Sequence, residues 1–336
     1  MNTADECVPG ASPALGGARA GSKIRLGLIV GPTGTGKSAL AIEIAERLGA
    51  EIVNADSRLL YRGMDIGTAK PSTGERRRVP HHLIDLLLPG EPIDVAGFRE
   101  RARAAIAQVV SRGRPVIVAG GSGLYLRVLR GGIFSGPPAS AEIRAELAAL
   151  ATERGAPHLH AQLRAADPEA AARIPVHDLY RIVRALEVFR LTGTPITAHQ
   201  RRHGFNCAEY DTLTIGLSLP RDRLYAAIDR RFDLMVAAGL VDEVRRLIAA
   251  GCGIDTPPMR AIGYRQIAAY LRGEITLTAA IELAKRDTRR LAKRQLTWFR
   301  RDPEIAWVDA LTGREQALTL LRGFLAPPAA GGQCQS

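Results

Sequence analysis

The sequence has no stretch of about 18 uncharged apolar residues, so no membrane helix is expected. Its opening residues, MNTADECVPGASPALGGARAGS, carry acids and turn-formers where a secretory signal would have an apolar core. A soluble, cytoplasmic protein without membrane partners is the expectation. Cysteine is sparse: Cys7, Cys207, Cys252 and Cys334 stand far apart with no CxxC pair, which argues against a zinc ribbon and a disulfide framework alike. His199 and His203 lie four apart in HQRRH, but HExxH context and a third ligand are missing, so the pair reads as a polar helix face. A further absence is chemical. The segment PVIVAGGSGLY (115–125) ends in glycines and Ser122, where a Walker B strand would end in an acid that helps to hold magnesium. Phosphate gripping without nucleotide hydrolysis fits that pattern.

What is present supports a sizeable core: 336 residues, 46% of them apolar, suffice for one large domain or two modest ones. The formal net charge of +12 favours a polyanionic partner, because neutralising phosphates releases counterions. Arginine-rich composition also arises from coding bias, so the placement of the charge carries more meaning than its sum.

Residues 1–21 and 326–336 have no apolar periodicity and read as flexible tails. Between them KIRLGLIV (23–30) reads as a strand, followed by a glycine-rich turn and the helix-patterned SALAIEIAERLG. EIVNA (51–55) reads as a second strand, residues 98–113 as a helix ended by Gly113, and PVIVAGG as a third strand. Such alternation implies a parallel sheet covered by helices. TLTIGLSL (212–219) is a fourth strand, reached only after an Ala- and Arg-rich helical stretch. The expected fold is α/β: a P-loop NTPase-like parallel sheet with flanking helices, built from 22–135 and 205–312. A helical subdomain (136–204) is inserted in it, and a C-terminal segment (313–336) follows.

The strongest motif is GPTGTGKS, comprising Gly31, Pro32, Thr33, Gly34, Thr35, Gly36, Lys37 and Ser38. It fits GxxxxGK[ST] and stands between a strand and a helix. Glycines let the backbone N–H groups and the helix N-terminus face phosphate oxygens; Lys37 adds a cation, and Ser38 a hydroxyl for Mg²⁺. Asp56 closes the second strand at the carboxyl edge, where ligands of open α/β sheets collect. A carboxylate there can take a proton from a nucleophile; equally, Asp56 and Ser57 can cap the next turn.

GPTGTGKS, NADSRLLYRGMDIGTAKP (54–71), HHLIDLLLPGE (81–91), GGSGLY (120–125), DLYRIVRALEV (178–188), MRAIGYRQ (259–266) and LAKRQLTWFR (291–300) together resemble the bacterial tRNA dimethylallyltransferases, over residues 24 to 302. DIGTAKP beside a P-loop is the specific element. The resemblance implies a P-loop that holds the diphosphate of dimethylallyl diphosphate with Mg²⁺. It further implies that an adenosine beside the anticodon turns outward, so that its exocyclic amine attacks the allylic carbon. The implied products are N6-dimethylallyladenosine and diphosphate, and the implied enzyme is a monomer.

Carried onto this chain, the resemblance makes Asp56 the general base and puts Ser122 where Thr is more usual. It makes Arg221 the residue that neutralises the departing diphosphate, with Arg223 two residues away as the alternative. Contacts to tRNA are implied for Asp56, Ser57, Arg58, Leu59, Arg144, Tyr180, Arg181, Ile182, Val183 and Arg184. They are also implied for Arg260, Ala261, Ile262, Gly263, Tyr264 and Arg265, and for Lys293, Arg294, Gln295, Leu296, Thr297, Trp298, Phe299 and Arg300. His177, Ala227 and Arg290 depart from the family pattern, which has Asn, Arg and Gln there.

Residue periodicity in the last helix agrees with an RNA-facing surface. Arg286, Arg290, Lys293, Arg294 and Arg301 recur at about helical spacing, while Ala284, Leu291 and Trp298 mark another face. An ordinary solvated face gives the same charge pattern. Tyr264 and Trp298 suit packing as well as base stacking. Two other functions share parts of this sequence. Prenyl transfer to free adenine nucleotides would need neither the insertion nor a basic terminal helix. A P-loop small-molecule kinase or nucleotide-binding module would consume or bind ATP and would leave DIGTAKP without a role.

Overall fold

The computed structural model describes residues 23–132, 136–204 and 209–326. The tails expected at 1–21 and 326–336 lie outside the described residues except for Ala326, as do Cys7, Cys207 and Cys334; Cys252 is a buried free thiol. The described chain forms two compact units, one of residues 131–204 and one of residues 23–130 with 209–326.

The larger unit opens β1 (Ile24–Val30), α1 (Lys37–Leu48), β2 (Glu51–Asn54), α2 (Thr73–Arg78), β3 (His81–His82), α3 (Val95–Ser111), β4 (Val116–Ala119) and α4 (Gly123–Gly131). The smaller unit holds α5 (Ala141–Ala166), α6 (Pro168–Arg173), α7 (Leu179–Thr192) and α8 (Ile196–His203). The chain then returns to the larger unit through β5 (Tyr210–Ser218), α9 (Arg221–Ala237), α10 (Leu240–Ala249), α11 (Tyr264–Leu271), α12 (Leu277–Phe299), β6 (Ile305–Asp309) and α13 (Arg314–Leu325).

Six parallel strands run in the order β3-β2-β4-β1-β5-β6. Apolar runs such as Leu26, Leu28 and Ile29 form fully buried strands, because a parallel sheet is covered on both faces. One cluster joins Ile29, Ile52, Ile117, Ile215 and Val308 of the sheet to Leu40 and Ile44 of α1 and to Leu318 and Leu321 of α13. Each such side chain contributes about 1.5–3 kcal/mol by leaving water. Helix α1 ends where Gly49 takes φ 61° and its N–H returns to Ala45 and Glu46 carbonyls.

β2 does not neighbour β1: β4 lies between them, and Gly120 packs so closely on Ala55 that a Cβ would stand 2.2 Å from the Ala55 carbonyl oxygen. That contact brings the ends of β1, β2 and β4 together. Beyond the elements expected from the sequence, the structure has strand β6 and helix α13. They close the far edge of the sheet, and Leu321 lies over Gly27.

Within the smaller unit, Leu147, Leu159, Leu163, Ile182 and Leu186 form the core, and α5 breaks at Gly155, where φ is 79°. Asp167 caps α6 and also accepts from the Thr197 N–H and hydroxyl. Glu187 is wholly buried yet accepts from Ser140 N, from Nε and Nη2 of Arg144 (2.8 and 3.0 Å) and from Arg184 (2.8 Å). Burial raises the Glu187 carboxyl, but those two guanidinium groups bring it net below the usual carboxylate range. A carboxylate at this depth is tolerated only because every oxygen is met by a donor.

Candidate active site

At the carboxyl edge of the sheet, β1 runs into the phosphate-loop motif. Gly31, Gly34 and Gly36 hold φ of 142°, 92° and 82°, backbone states that a side chain would strain. No side chain caps α1, which leaves its first N–H groups for an anion. The loop is braced from below by Thr35, whose hydroxyl donates to the Pro32 carbonyl. The Lys37 ammonium also donates to Pro32 O, at 2.8 Å. Burial pushes its pKa down to about 8; Asp56 opposes that shift and Arg231 adds to it.

Asp56 follows β2. Asn54, buried, receives the Asp56 N–H on its side-chain oxygen and donates to the carbonyls of Asp56 and Leu83. Asp56 Oδ1 takes the Arg58 N–H at 2.9 Å, so the side chain does cap its own turn. A carboxylate accepts at both oxygens, and this bond leaves Oδ2 for a ligand. Ser122, after β4, accepts the Ser57 N–H at 3.3 Å, and its own N–H reaches Ala55 O.

A cleft of about 640 Å³ is lined by Asp56, Ser57, Arg58, Ser122, Arg231 and Gln295 among others, and Thr33 is the residue of the phosphate loop that reaches it; Gly31, Pro32, Gly34, Thr35, Gly36, Lys37 and Ser38 do not line it. Of the stretches implied to meet tRNA, Arg260, Ala261, Ile262, Tyr264, Arg265 and Arg294 line it as well. Leu59, Gly263, Lys293, Leu296, Thr297, Trp298, Phe299 and Arg300 do not. Phe299 is buried, and Trp298 packs flat enough on Gly123 that a Cβ there would meet its Nε1 at 2.3 Å. Trp298 thus packs on Gly123 while remaining 40% exposed. Gln295 bridges two walls, accepting from Thr33 N and donating to Gly121 O, both at 2.9 Å. The buried seam of α12 is Ala280, Ala284, Thr288, Ala292 and Phe299; Leu291 faces the cleft instead of marking the apolar side.

Arg221 stands apart from this lining. Its guanidinium lies 5.1 Å over the Tyr225 ring in the first turn of α9, and neither it nor Arg223 lines the cleft. Arg231, on the same helix, does, and donates to the Thr33 hydroxyl at 2.8 Å. Burial lowers its pKa and Asp56 partly restores it. Helical spacing was the signal available for it: Leu224, Ile228, Arg231 and Met235 share one face, and a cation in an otherwise buried apolar stripe requires a partner.

DIGTAKP contributes Gly67 and Thr68 to the cleft lining. Lys70 donates to Tyr61 O and pairs with Asp65 and Asp85. Glu243, buried on α10, accepts from the N–H groups of Asp65, Ile66 and Gly67 and from the Tyr264 hydroxyl. Burial, then the Glu243 charge, raise the Tyr264 phenol well above its ordinary value, so Tyr264 stays a neutral donor. Gly67 lies against the Tyr264 ring, 2.5 Å from a would-be Cβ. Glu243→Ala should lower stability by about 3 kcal/mol or more, since three backbone N–H groups and a buried phenol lose an acceptor at once. A shift of the urea midpoint at constant slope measures it.

Tyr180, Arg144, Val183 and Arg184 line a separate cleft of about 410 Å³ within the smaller unit, whereas Ile182 is core and Arg181 pairs with Asp178 at 3.4 Å. Tyr180 is 79% exposed. Among the described residues there is no cluster of three His, Cys, Asp or Glu that could hold a metal, and no helix is long and apolar enough to cross a membrane.

A family model described as IPP transferase matches residues 59–302. The chain is 53% identical over 283 residues to a tRNA dimethylallyltransferase of Syntrophobacter fumaroxidans, spanning 84% of this chain and 83% of that one. It is 50% identical over 308 residues to that of Geobacter sulfurreducens, spanning 92% and 99%. Among solved structures it is similar to a full-length tRNA isopentenylpyrophosphate transferase of Bacillus halodurans (39% identity, TM-score 0.67, 90% and 97% covered). It is similar too to a eukaryotic dimethylallyltransferase acting on tRNA (25% identity, TM-score 0.74, 90% and 76% covered). The all-parallel sheet, the glycine-rich loop leading into α1 and this run of similarity along most of the chain have one reading: the chain belongs to the IPP transferase family.

Proposed function

We propose that this enzyme transfers the dimethylallyl group of dimethylallyl diphosphate to N6 of the adenosine on the 3′ side of the anticodon in tRNA, releasing diphosphate. One observation carries this reading. Thr33 of the phosphate loop, a carboxylate (Asp56) and a buried guanidinium (Arg231) line a single cleft whose lining also includes Arg58, Arg260, Arg265, Arg290 and Arg294, and the charges of Asp56 and Arg231 both act on Lys37 of the loop. A small nucleotide needs no such basic lining; an RNA backbone does.

In the reaction the N6–carbon bond forms as the allylic carbon–oxygen bond breaks. The adenine amine is a poor nucleophile, because its lone pair is delocalised into the ring. Asp56 accepts a hydrogen bond from it and takes the proton as the new bond forms. The leaving diphosphate gathers charge, which Lys37, Arg231 and the α1 N–H groups offset. Apolar Ile228, Phe232 and Met235 on α9 border the same cleft and suit a short prenyl chain.

Mg²⁺ belongs to this proposal. An ion carried mainly by phosphate oxygens needs only one or two protein donors, and the exposed hydroxyl of Ser38 is the donor the loop offers. When bound, it would neutralise charge on the diphosphate. A cytoplasmic monomer belongs to the same proposal.

Incubation with labelled dimethylallyl diphosphate and either tRNA or AMP tests the function. Label should enter tRNA and not AMP, with no ATP consumed. Label in AMP alone would instead support the small-nucleotide reading, and ATP turnover at about 1 per second or faster the kinase reading.

A further inference from the structure

The lining of the cleft contains one acid besides Asp56. Asp287 stands midway along α12 with its side chain 14% exposed, surrounded by cations. Its Oδ2 accepts from Arg265 and, at 3.0 Å, from the Gln266 amide. Its Oδ1 lies 3.4 Å from Arg286 and 3.7 Å from Arg290. Gln266 uses its other end to take the Gly263 N–H at 2.8 Å, at a backbone position with φ of 92°. One carboxylate therefore ties α12 to the turn ahead of α11.

Charge alone gives this acid no favourable part in binding RNA. A carboxylate in a wall that meets phosphates repels them, and removing it should strengthen binding. Its geometry has the opposite consequence. Arg265 and Arg290 are about half or more exposed, so a guanidinium held by Asp287 along one edge still presents its remaining N–H groups outward. Holding the side chain in one rotamer removes the entropy that an unrestrained arginine loses on meeting a phosphate.

We propose that Asp287 is a positioning residue for the RNA substrate: it fixes Arg265, Arg290 and the turn at Gly263 in the arrangement that grips the phosphate backbone, and acts through them without touching the substrate. The inference rests on the reading of the cleft as a tRNA-modifying site.

The test is the tRNA dissociation constant of the full-length enzyme as a function of salt, measured beside dimethylallyl diphosphate binding and single-turnover transfer at saturating tRNA. Asp287→Asn should weaken tRNA binding about tenfold and reduce the magnitude of the log K against log salt slope by about 0.7 to 0.9, the loss of one phosphate contact. Diphosphate-substrate binding and the saturated rate should stay within about twofold. Asp287→Glu keeps the charge and displaces it by one methylene, and should also weaken tRNA binding. In an Arg265→Ala background Asp287→Asn should lose most of its effect, because coupled residues are not additive.

Unchanged or tighter tRNA binding by Asp287→Asn would overturn the proposal, as would an Asp287→Glu enzyme that binds like the unaltered one. Binding of tRNA without transfer by the unaltered enzyme would instead defeat only the functional reading. Should Asp287→Asn fail to fold, the Asp287→Glu result decides alone.

Discussion

Asp56→Ala should slow single-turnover prenyl transfer by about 10² to 10⁴, the range for a lost acid–base group, with tRNA affinity within a few-fold. The carboxylate has two tasks in this fold, and a second variant separates them. Through Oδ1 it accepts the Arg58 N–H and so shapes the turn after β2. Through its place in the cleft it can take a proton from an incoming amine. Asn at this position keeps an acceptor for the turn but cannot remove a proton at neutral pH. Asp56→Asn should therefore fall in the same range of rate loss while leaving stability near that of the unaltered enzyme. Rapid-quench measurement of labelled tRNA gives both rates. A rate for Asp56→Asn near that of the parent would make the carboxylate a turn residue only.

Legibility in the sequence follows from how local the determinant is. GPTGTGKS is readable because three glycines, a lysine and a hydroxyl at fixed spacing have a purpose only around a phosphate, and the loop supplies its own geometry. Asp56 is readable because it ends a recognisable apolar strand. Strand β6 is harder: IAWVD is five residues long and, at the far edge of the sheet, resembles any short apolar run. Glu243 in GLVDEV looks like a solvated acid in the first turn of a helix, and only the folded chain brings it under three N–H groups and a phenol that lie far away in sequence. The basic helix α12 is recognisable by its arginines, but its buried seam runs through alanines and Thr288, and small residues carry little signal of which face packs. Arg231 falls into the same gap. LPRDRLY is a distinctive string that points to Arg221, whereas Arg231 lies ten positions on, about 15 Å along an α-helix at 1.5 Å per residue, where it donates to Thr33 of the loop.

Arg231→Ala should lower the rate of transfer by about 10² to 10³, comparable to removing one donor from a preorganised anion site. Binding of dimethylallyl diphosphate should weaken as well, because the guanidinium is already oriented by Thr33 and meets the diphosphate before any bond breaks. Arg231→Lys should recover only part of either loss: an ammonium is a point charge that cannot keep the Thr33 bond and also offer a second, parallel N–H. Arg221→Ala, by contrast, should change the rate less than about threefold, since that side chain rests on Tyr225 outside the cleft. An independent check comes from Lys37. Its folded pKa of about 8 lies below the ordinary lysine value of 10.5, so between those pH values the unfolded chain binds more protons and stability should rise with pH. Arg231 contributes to that depression, after burial, so Arg231→Ala should raise the Lys37 pKa and flatten the rise. Equilibrium unfolding at pH 7 and pH 10 on both proteins measures the difference. Equal slopes would mean that the two cations do not sense one another, and would remove the basis for placing both on the same diphosphate.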